Sequence, residues 1–334
     1  MIRRYAWIGL VGLPLALLYA SLFVGRFPVT PEQVNRVLLS LVFPVDVDWP
    51  ASVETIVLQI RLPRALLALV VGAGLAASGA AYQGIFRNPL VSPDVLGATA
   101  AAGFGAALAL LWGLVGFQLQ LVAFVFGLLG VLLTYLLARS YRSTSILMLV
   151  LSGVIVTAFF AALLGGAKYL ADPESRLPAI TYWLLGSLNG ASLPGLALVA
   201  PPIVAGVVVL LFMGWQLNVL AMGDEEARAL GVRTELSRGV VILATTVVTA
   251  AAVSACGIVG WIGLVVPHLA RMIVGPDHRR LLPAAVSIGA GYLLLIDDLA
   301  RSLTEGEIPI GILTALVGAP FCAWLLRQTR SAWQ

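Results

Sequence analysis

The sequence predicts an all-α, polytopic membrane protein of about ten transmembrane helices with both termini in the cytoplasm. Three observations predict it. Apolar residues fill 60% of the 334 positions, which is what ten spans of ~20 residues would consume. Charged residues fall to 11%, less than half the ~25% of a soluble domain. Mean hydropathy reaches +1.01. This composition excludes a soluble enzyme, a secreted disulfide scaffold and a disordered chain. The net charge of +4 is small and dispersed, so no nucleic acid is expected as a partner. The two cysteines, Cys256 and Cys322, each stand alone in an apolar run. They are too few for a disulfide framework or a thiolate metal site, and read as small packing residues.

Ten apolar runs bounded by charge, proline or glycine mark the spans. The first, 5–24, follows Arg3 and Arg4 and exceeds a 7–15-residue signal core, so it reads as an uncleaved signal anchor. The second and third, 62–82 and 95–111, carry small residues at i, i+4: Gly72, Ala76 and Ala80, then Gly97, Ala101 and Gly105. That spacing lets helix backbones approach closely and predicts internal bundle packing. The fourth to seventh are 119–138, 146–167, 193–213 and 238–258. The eighth, 262–273, spans about 18 Å at 1.5 Å per residue, too short to cross a ~30 Å core alone. It reads as a half-span or a re-entrant piece shielded by its neighbours. The ninth and tenth are 281–300 and 308–326.

Charge counting decides whether the eighth crosses. With ten crossings, thirteen basic residues lie inside, and seven lie outside: Arg26, Arg36, Arg61, Arg64, Lys168, Arg176 and Arg301. Without that crossing the count becomes nine inside against eleven outside. The positive-inside rule favours ten. Residues 1–334 then form one transmembrane domain, with the largest loops at 25–61 and 168–192 outside and 214–237 inside.

The basic residues include one lysine only, Lys168, between Ala167 and Tyr169. A phosphate-binding Walker loop requires Gly-Lys-Ser/Thr, because the ammonium neutralises the terminal phosphates. The chain therefore has no such nucleotide site, and any ATP must be bound by a partner. His268 and His278 are the only histidines and form no three- or four-ligand metal cluster; both read as structural, His278 as a loop residue. Asp297 and Asp298 are the only acids inside an apolar span. Such residues are functional candidates by default, but both lie within a turn of Arg301, and positioning that arginine is the favoured role.

The inside loop 216–233 contains Asp224, Glu225 and Glu226 at the start of a short helix, where carboxylates suit the dipole. Gly231 is placed to end that helix in a left-handed cap. This segment resembles the coupling helix of ABC importer permeases. The whole chain is similar to the FecCD/BtuC-like (type II) family, which imports iron–siderophore complexes, haem and cobalamin. Four further stretches carry the resemblance: Ile60-Arg-Leu-Pro-Arg64, Arg87-Asn-Pro-Leu-Val-Ser-Pro-Asp-Val-Leu-Gly97, Gly260-Trp-Ile-Gly-Leu-Val-Val-Pro-His-Leu-Ala-Arg271 with the following Pro276–Pro283 loop, and Pro309-Ile-Gly-Ile-Leu-Thr-Ala-Leu-Val-Gly-Ala-Pro320.

The resemblance implies a BtuC-like permease fold and a transport subunit with no catalytic site and no cofactor of its own. Two partner ATPase subunits would bind ATP and magnesium. A periplasmic or lipid-anchored binding protein would deliver substrate, and a second permease copy would complete a homodimer in the cell membrane. Residue by residue, it assigns ATPase coupling to Asp224, Glu225, Glu226, Ala227, Arg228, Leu230 and Gly231. It makes Arg61, Arg64 and Arg301 sockets for acidic residues of the binding protein. Asn88, Leu90, Thr144 and Ser145 become a cytoplasmic gate, although capping and turn chemistry explain Asn88 and Thr144 equally on their own. Arg176 and Trp183, in the outer loop 168–192 with its short helix, fall at the pathway mouth; Arg176 pairing with Asp172 or Glu174 is the alternative. The expected cargo is a metal chelate of the iron–siderophore, haem or cobalamin type, with an oxyanion such as molybdate as the alternative. An ion-coupled secondary transporter would need ionisable groups near the bilayer midplane, which the spans lack apart from Asp297 and Asp298 near one end. An intramembrane enzyme lacks its metal triad.

Overall fold

Every long apolar run becomes a helix, because only helices satisfy their own backbone hydrogen bonds in a hydrocarbon environment. The computed structural model describes residues 2–140 and 146–329; Thr144 and Ser145 lie outside the described residues. In chain order the helices are α1 (Ile2–Ser21), α2 (Pro31–Ser40), α3 (Ala51–Glu54), α4 (Leu62–Ile85), α5 (Ala98–Leu111), α6 (Phe117–Ser140), α7 (Ile146–Leu170), α8 (Arg176–Leu185), α9 (Leu193–Phe212), α10 (Gly214–Met222), α11 (Asp224–Ala229), α12 (Thr234–Cys256), α13 (Ile262–Val274), α14 (His278–Ser302) and α15 (Ile310–Thr329). Among the described residues there is no strand. Ten of these helices coincide with the ten expected spans.

α4 is the axis of the bundle, packed against α9, α12, α13 and α14. Almost all of it from Arg64 to Ile85 is buried, and its sequence explains how. Glycine and alanine leave room for neighbouring backbones: an added Cβ at Gly72 would sit 2.2 Å from the Gly289 carbonyl of α14, and one at Gly79 1.8 Å from the Gly263 carbonyl of α13. The small-residue spacing thus serves packing within the chain, as expected. A similar contact joins α5 to α6, where a Cβ on Gly105 would lie 2.6 Å from Phe126 Cβ and 2.8–2.9 Å from its ring.

Two departures from the expected spans have physical causes. The second span is extended outward, because α3 and a π-helical segment, Thr55–Arg61, continue α4 into one helix from Ala51 to Phe86. The outer loop is correspondingly structured. α2 begins with a reciprocal cap between Thr30 and Gln33, and Leu22, Val34, Val37, Trp49, Val53 and Val57 form a small core of their own.

The eighth span is helical throughout as α13, and a non-helical stretch leads into it. α12 ends at Cys256, whose carbonyl accepts from Ser187 N at 2.8 Å in the outer loop. Residues 257–261 are non-helical between the last bond of α12, Gly257 N to Val253 O, and the first of α13, Val265 N to Trp261 O, and α13 starts beside Gly79, in the inner half of α4. Non-helical backbone at that depth must be enclosed by protein. Here Gly257 faces the Trp183 carbonyl, Gly186 and Gly311 face the Ile258 carbonyl, and Ile310 N donates to Gly186 O at 3.0 Å. Glycine is required at 257 twice over: φ is +71°, and a Cβ would lie 2.1 Å from Trp183 O.

Candidate functional site

At the inner end, Gly223 (φ +137°) turns the chain out of α10 and into α11. The six-residue helix carries three acids in its first turn. It closes as the sequence predicts: Gly231, at φ +78°, donates to Arg228 O at 2.9 Å, and Val232 N donates to Ala227 O at 2.9 Å. That pair of bonds is a Schellman cap. Ala227 is fully buried and seats the helix, whereas Glu225, Glu226 and Arg228 face outward and Leu230 is 55% exposed. An open cleft of about 650 Å³ beside it is lined by Arg228 and 231–236.

Two anchors hold this handle to the spans. The buried guanidinium of Arg238 on α12 donates to Asp224 Oδ1 at 2.8 Å. On α10, the Asn218 amide donates to Asp277 Oδ1 at 2.6 Å, and its oxygen accepts from His278 N at 2.8 Å and the His278 ring Nδ1 at 2.9 Å. The Asn218 amide, with the Arg279 N–H, holds the Asp277 carboxyl below the usual carboxylate range. His278 is therefore not a loop residue. It opens α14, capped by Asp277 and buried against Gly84. Asp224 is likewise held in an internal bond, while Glu225, Glu226, Arg228 and Leu230 are exposed on the surface of the helix.

At the outer end, the three arginines expected as docking sockets are held inside the chain. Arg61, Arg64 and Arg301 are 3%, 5% and 5% exposed, because a guanidinium at a crowded helix end is buried wherever acceptors surround it. Arg64 Nε donates to Asp297 Oδ1 at 2.9 Å, and its two terminal nitrogens donate to Glu307 at 2.9 and 3.1 Å. Arg301 donates to the carbonyls of Ser21 and Val24 at 2.8 Å, to the Ser21 hydroxyl at 2.6 Å, and to Asp298. Asp297 and Asp298 thus do position Arg301, while Asp297 also holds Arg64. Arg61 differs. It donates to Leu22 O at 2.8 Å and Phe27 O at 2.7 Å, and among the described residues no carboxylate pairs with it. All three arginines, with Arg26, Asn189 and Glu307, line a cavity of about 160 Å³.

The remaining candidates are scattered. Asn88 Oδ1 accepts from Leu90 N at 2.9 Å, an Asx turn that leaves Leu90 48% exposed. Arg176 opens α8, and its guanidinium lies against the turn at Gly113. Its expected alternative partner, Asp172, instead accepts from the Ser175 N–H and hydroxyl at 2.7 and 2.6 Å, which hold that carboxyl below its ordinary range. Trp183 is half-buried, with its carbonyl against Gly257. Glu307 and Ser21 escaped the sequence reading. Glu307 is an acid directly before the tenth span, and that placement was its only signal. Among the described residues no three His, Cys, Asp or Glu side chains gather as a metal set.

The FecCD transport family matches residues 13–328 of this chain. The molybdate import permease MolB of Haemophilus influenzae is 41% identical over 312 residues, covering 93% of this chain and 91% of that protein. A probable iron chelatin permease of Helicobacter pylori is 40% identical over 84% of this chain and 85% of its own. The cobalamin import permease BtuC of Halobacterium salinarum is 37% identical over 98% and 97%. A solved inward-facing ABC transporter described as of metal-chelate type superposes with a TM-score of 0.86 at 39% identity, covering 97% of this chain and 99% of that one.

Proposed function

The chain belongs to the FecCD transport family, a multi-pass type II ABC importer permease and not an enzyme, and on that premise we propose that it imports a metal chelate handed over by a binding protein and driven by two partner ATPases. Two permease copies line the pathway, and both ATP and magnesium sit on the partners. The observation that carries this reading is the anchored helix α11. It presents Glu225, Glu226, Arg228 and Leu230 outward on a rigid mount, as a handle moved from outside requires. Its motion rocks the spans between outward- and inward-open states. Asn88 and Leu90, with Thr144 and Ser145, close the inner end, and Arg176 and Trp183 border the outer mouth.

Val in place of Gly231 forces a β-branched residue into a left-handed cap, a local cost of about 1–2 kcal/mol. Gly231→Val and Glu226→Arg should each insert normally, hydrolyse ATP in the assembled transporter and lose most uptake. Wild-type uptake in both would remove the coupling assignment.

The cargo reading is tested with vesicles loaded with ATP and supplied with the partner subunits. Uptake of a ferric chelate, haem or cobalamin supports it. Molybdate is the second reading, favoured by the 41% identity to a molybdate permease along 93% of the chain; uptake of molybdate alone would replace the first.

On the outer face, Arg61 is the docking arginine, since its charge has no carboxylate of its own and borders the cavity. Arg61 is buried in the single chain and holds the Leu22 and Phe27 carbonyls, so Arg61→Gln should lower the melting temperature and also weaken binding-protein affinity, the second effect fading at high salt. An unchanged, salt-independent Kd would rule Arg61 out.

A further inference from the structure

Two helices at the inner end stop in the same way, and only one of them stops with the residue that costs least. α11 uses Gly231 at its left-handed position. α4 uses Arg87: φ is +50°, Arg87 N donates to Gly84 O at 3.3 Å, and Asn88 N donates to Gln83 O at 3.2 Å. This is again a Schellman cap, with a long L side chain where glycine fits without strain. Among the described residues only Arg87 and Trp261 adopt positive φ without being glycine. The Arg87 side chain is exposed but lies along the inner surface of the protein rather than away from it. It reaches the start of α11, where the position a Cβ would take on Gly223 lies 3.7 Å from Arg87 Nη1 and 2.2 Å from Glu226 Oε2. Cation and carboxylate thus flank one point, the hinge between α10 and α11. Immediately after Arg87 comes the Asn88–Leu90 turn.

We propose that Arg87 is a positioning residue that ties the 88–97 loop to the Gly223–Glu226 hinge, so that displacement of α11 is delivered directly to that loop. The inference rests on the coupling reading of α11 and extends it to a defined path. The guanidinium and the Glu226 carboxylate both approach Gly223 without pairing directly, and the left-handed cap sets the direction in which the Arg87 side chain leaves the backbone. The strain at φ +50° is tolerated because the side chain is needed at the hinge. Glycine at 87 would relax the cap while cutting the tie.

That opposition makes the test selective. The assembled transporter, with its ATPase partners, carries a bimane label on Leu90→Cys, and emission is read before and after trapping with ATP and vanadate. The otherwise unaltered protein shows an emission shift. Arg87→Gly keeps a melting temperature at or above wild type, continues to hydrolyse ATP, and loses at least four-fifths of the shift. Arg87→Lys retains most of it. Arg87→Glu loses it. A full shift in Arg87→Gly overturns the proposal, as does the absence of any shift in the labelled parent. Gly231→Val separates the two readings. If it abolishes the shift while Arg87→Gly does not, the tie alone falls; if neither does, the coupling reading falls with it.

Discussion

Gly79→Ala should destabilise the protein strongly. A methyl group at that position would lie 1.8 Å from the Gly263 carbonyl oxygen, 2.5 Å from its carbon and 2.6 Å from its Cα. All three atoms are backbone, so no side chain can swing aside, and α4 and α13 must separate. Gly263 cannot yield, since its own Cβ position is 2.4 Å from Pro93 and 3.1 Å from Leu75 O. Overpacking a core typically costs about 1–3 kcal/mol and occasionally more; a backbone-on-backbone collision belongs at the upper end. The damage also spreads. α13 is a half-span whose non-helical lead-in, 257–261, is shielded only while its neighbours stay closed around it. We expect the melting temperature in detergent to fall by roughly 5–10 °C, with a large loss of monodisperse protein. Gly239→Ala is the control, because a Cβ there meets nothing within 4 Å. A Gly79→Ala protein melting within a degree or two of that control would show that the contact is not tight.

How much of this was legible in the sequence follows from the range of the forces involved. Apolar runs, the charge asymmetry and the Gly231 cap are local or additive, and each was readable. The small-residue register at Gly72, Ala76 and Ala80 correctly marked a packing face. It missed Gly79, one heptad from Gly72, where the closest approach occurs, because the partner at Gly263 lies far away in the chain. The eighth span was readable as too short, but not how the chain makes up the difference. That solution depends on Trp183, Gly186 and Gly311 closing around 257–261, contacts that no periodicity reports. The Thr30–Gln33 reciprocal cap lay in plain pattern and passed unused. The outer arginines show the sharpest limit. Arg64 meets Asp297 across 233 positions and Glu307 across 243, so the sequence displays three bare cations where the fold has two already neutralised.

Asp297→Asn is the second substitution with a large expected effect, and it divides structural from docking roles among those arginines. Asp297 is fully buried. It accepts from Arg64 Nε at 2.9 and 3.1 Å, and stands 3.5 Å from Arg301 Nε, a charge contact at that distance. Amide replacement keeps the shape but removes the one charge that faces both guanidiniums. Taking one partner from a buried ion pair costs about 3–5 kcal/mol, mostly through the uncompensated charge left behind. The consequence reaches α1, since Arg301 holds the Ser21 and Val24 carbonyls at its outer end. Glu307→Gln should be far milder, under about 1 kcal/mol, because Glu307 is partly solvated and Arg64 keeps Asp297. Replacing the pair together, Asp297→Leu with Arg64→Met, should recover part of the loss, because apolar side chains of similar volume leave no buried charge. If Asp297→Asn were as stable as Glu307→Gln in thermal unfolding, the network would not hold the outer ends together. Arg64 and Arg301 are paired within the chain to Asp297, Asp298 and Glu307. Substituting them should register in melting temperature, whereas Arg61→Gln should register in binding-protein affinity and its salt dependence as well as in melting temperature.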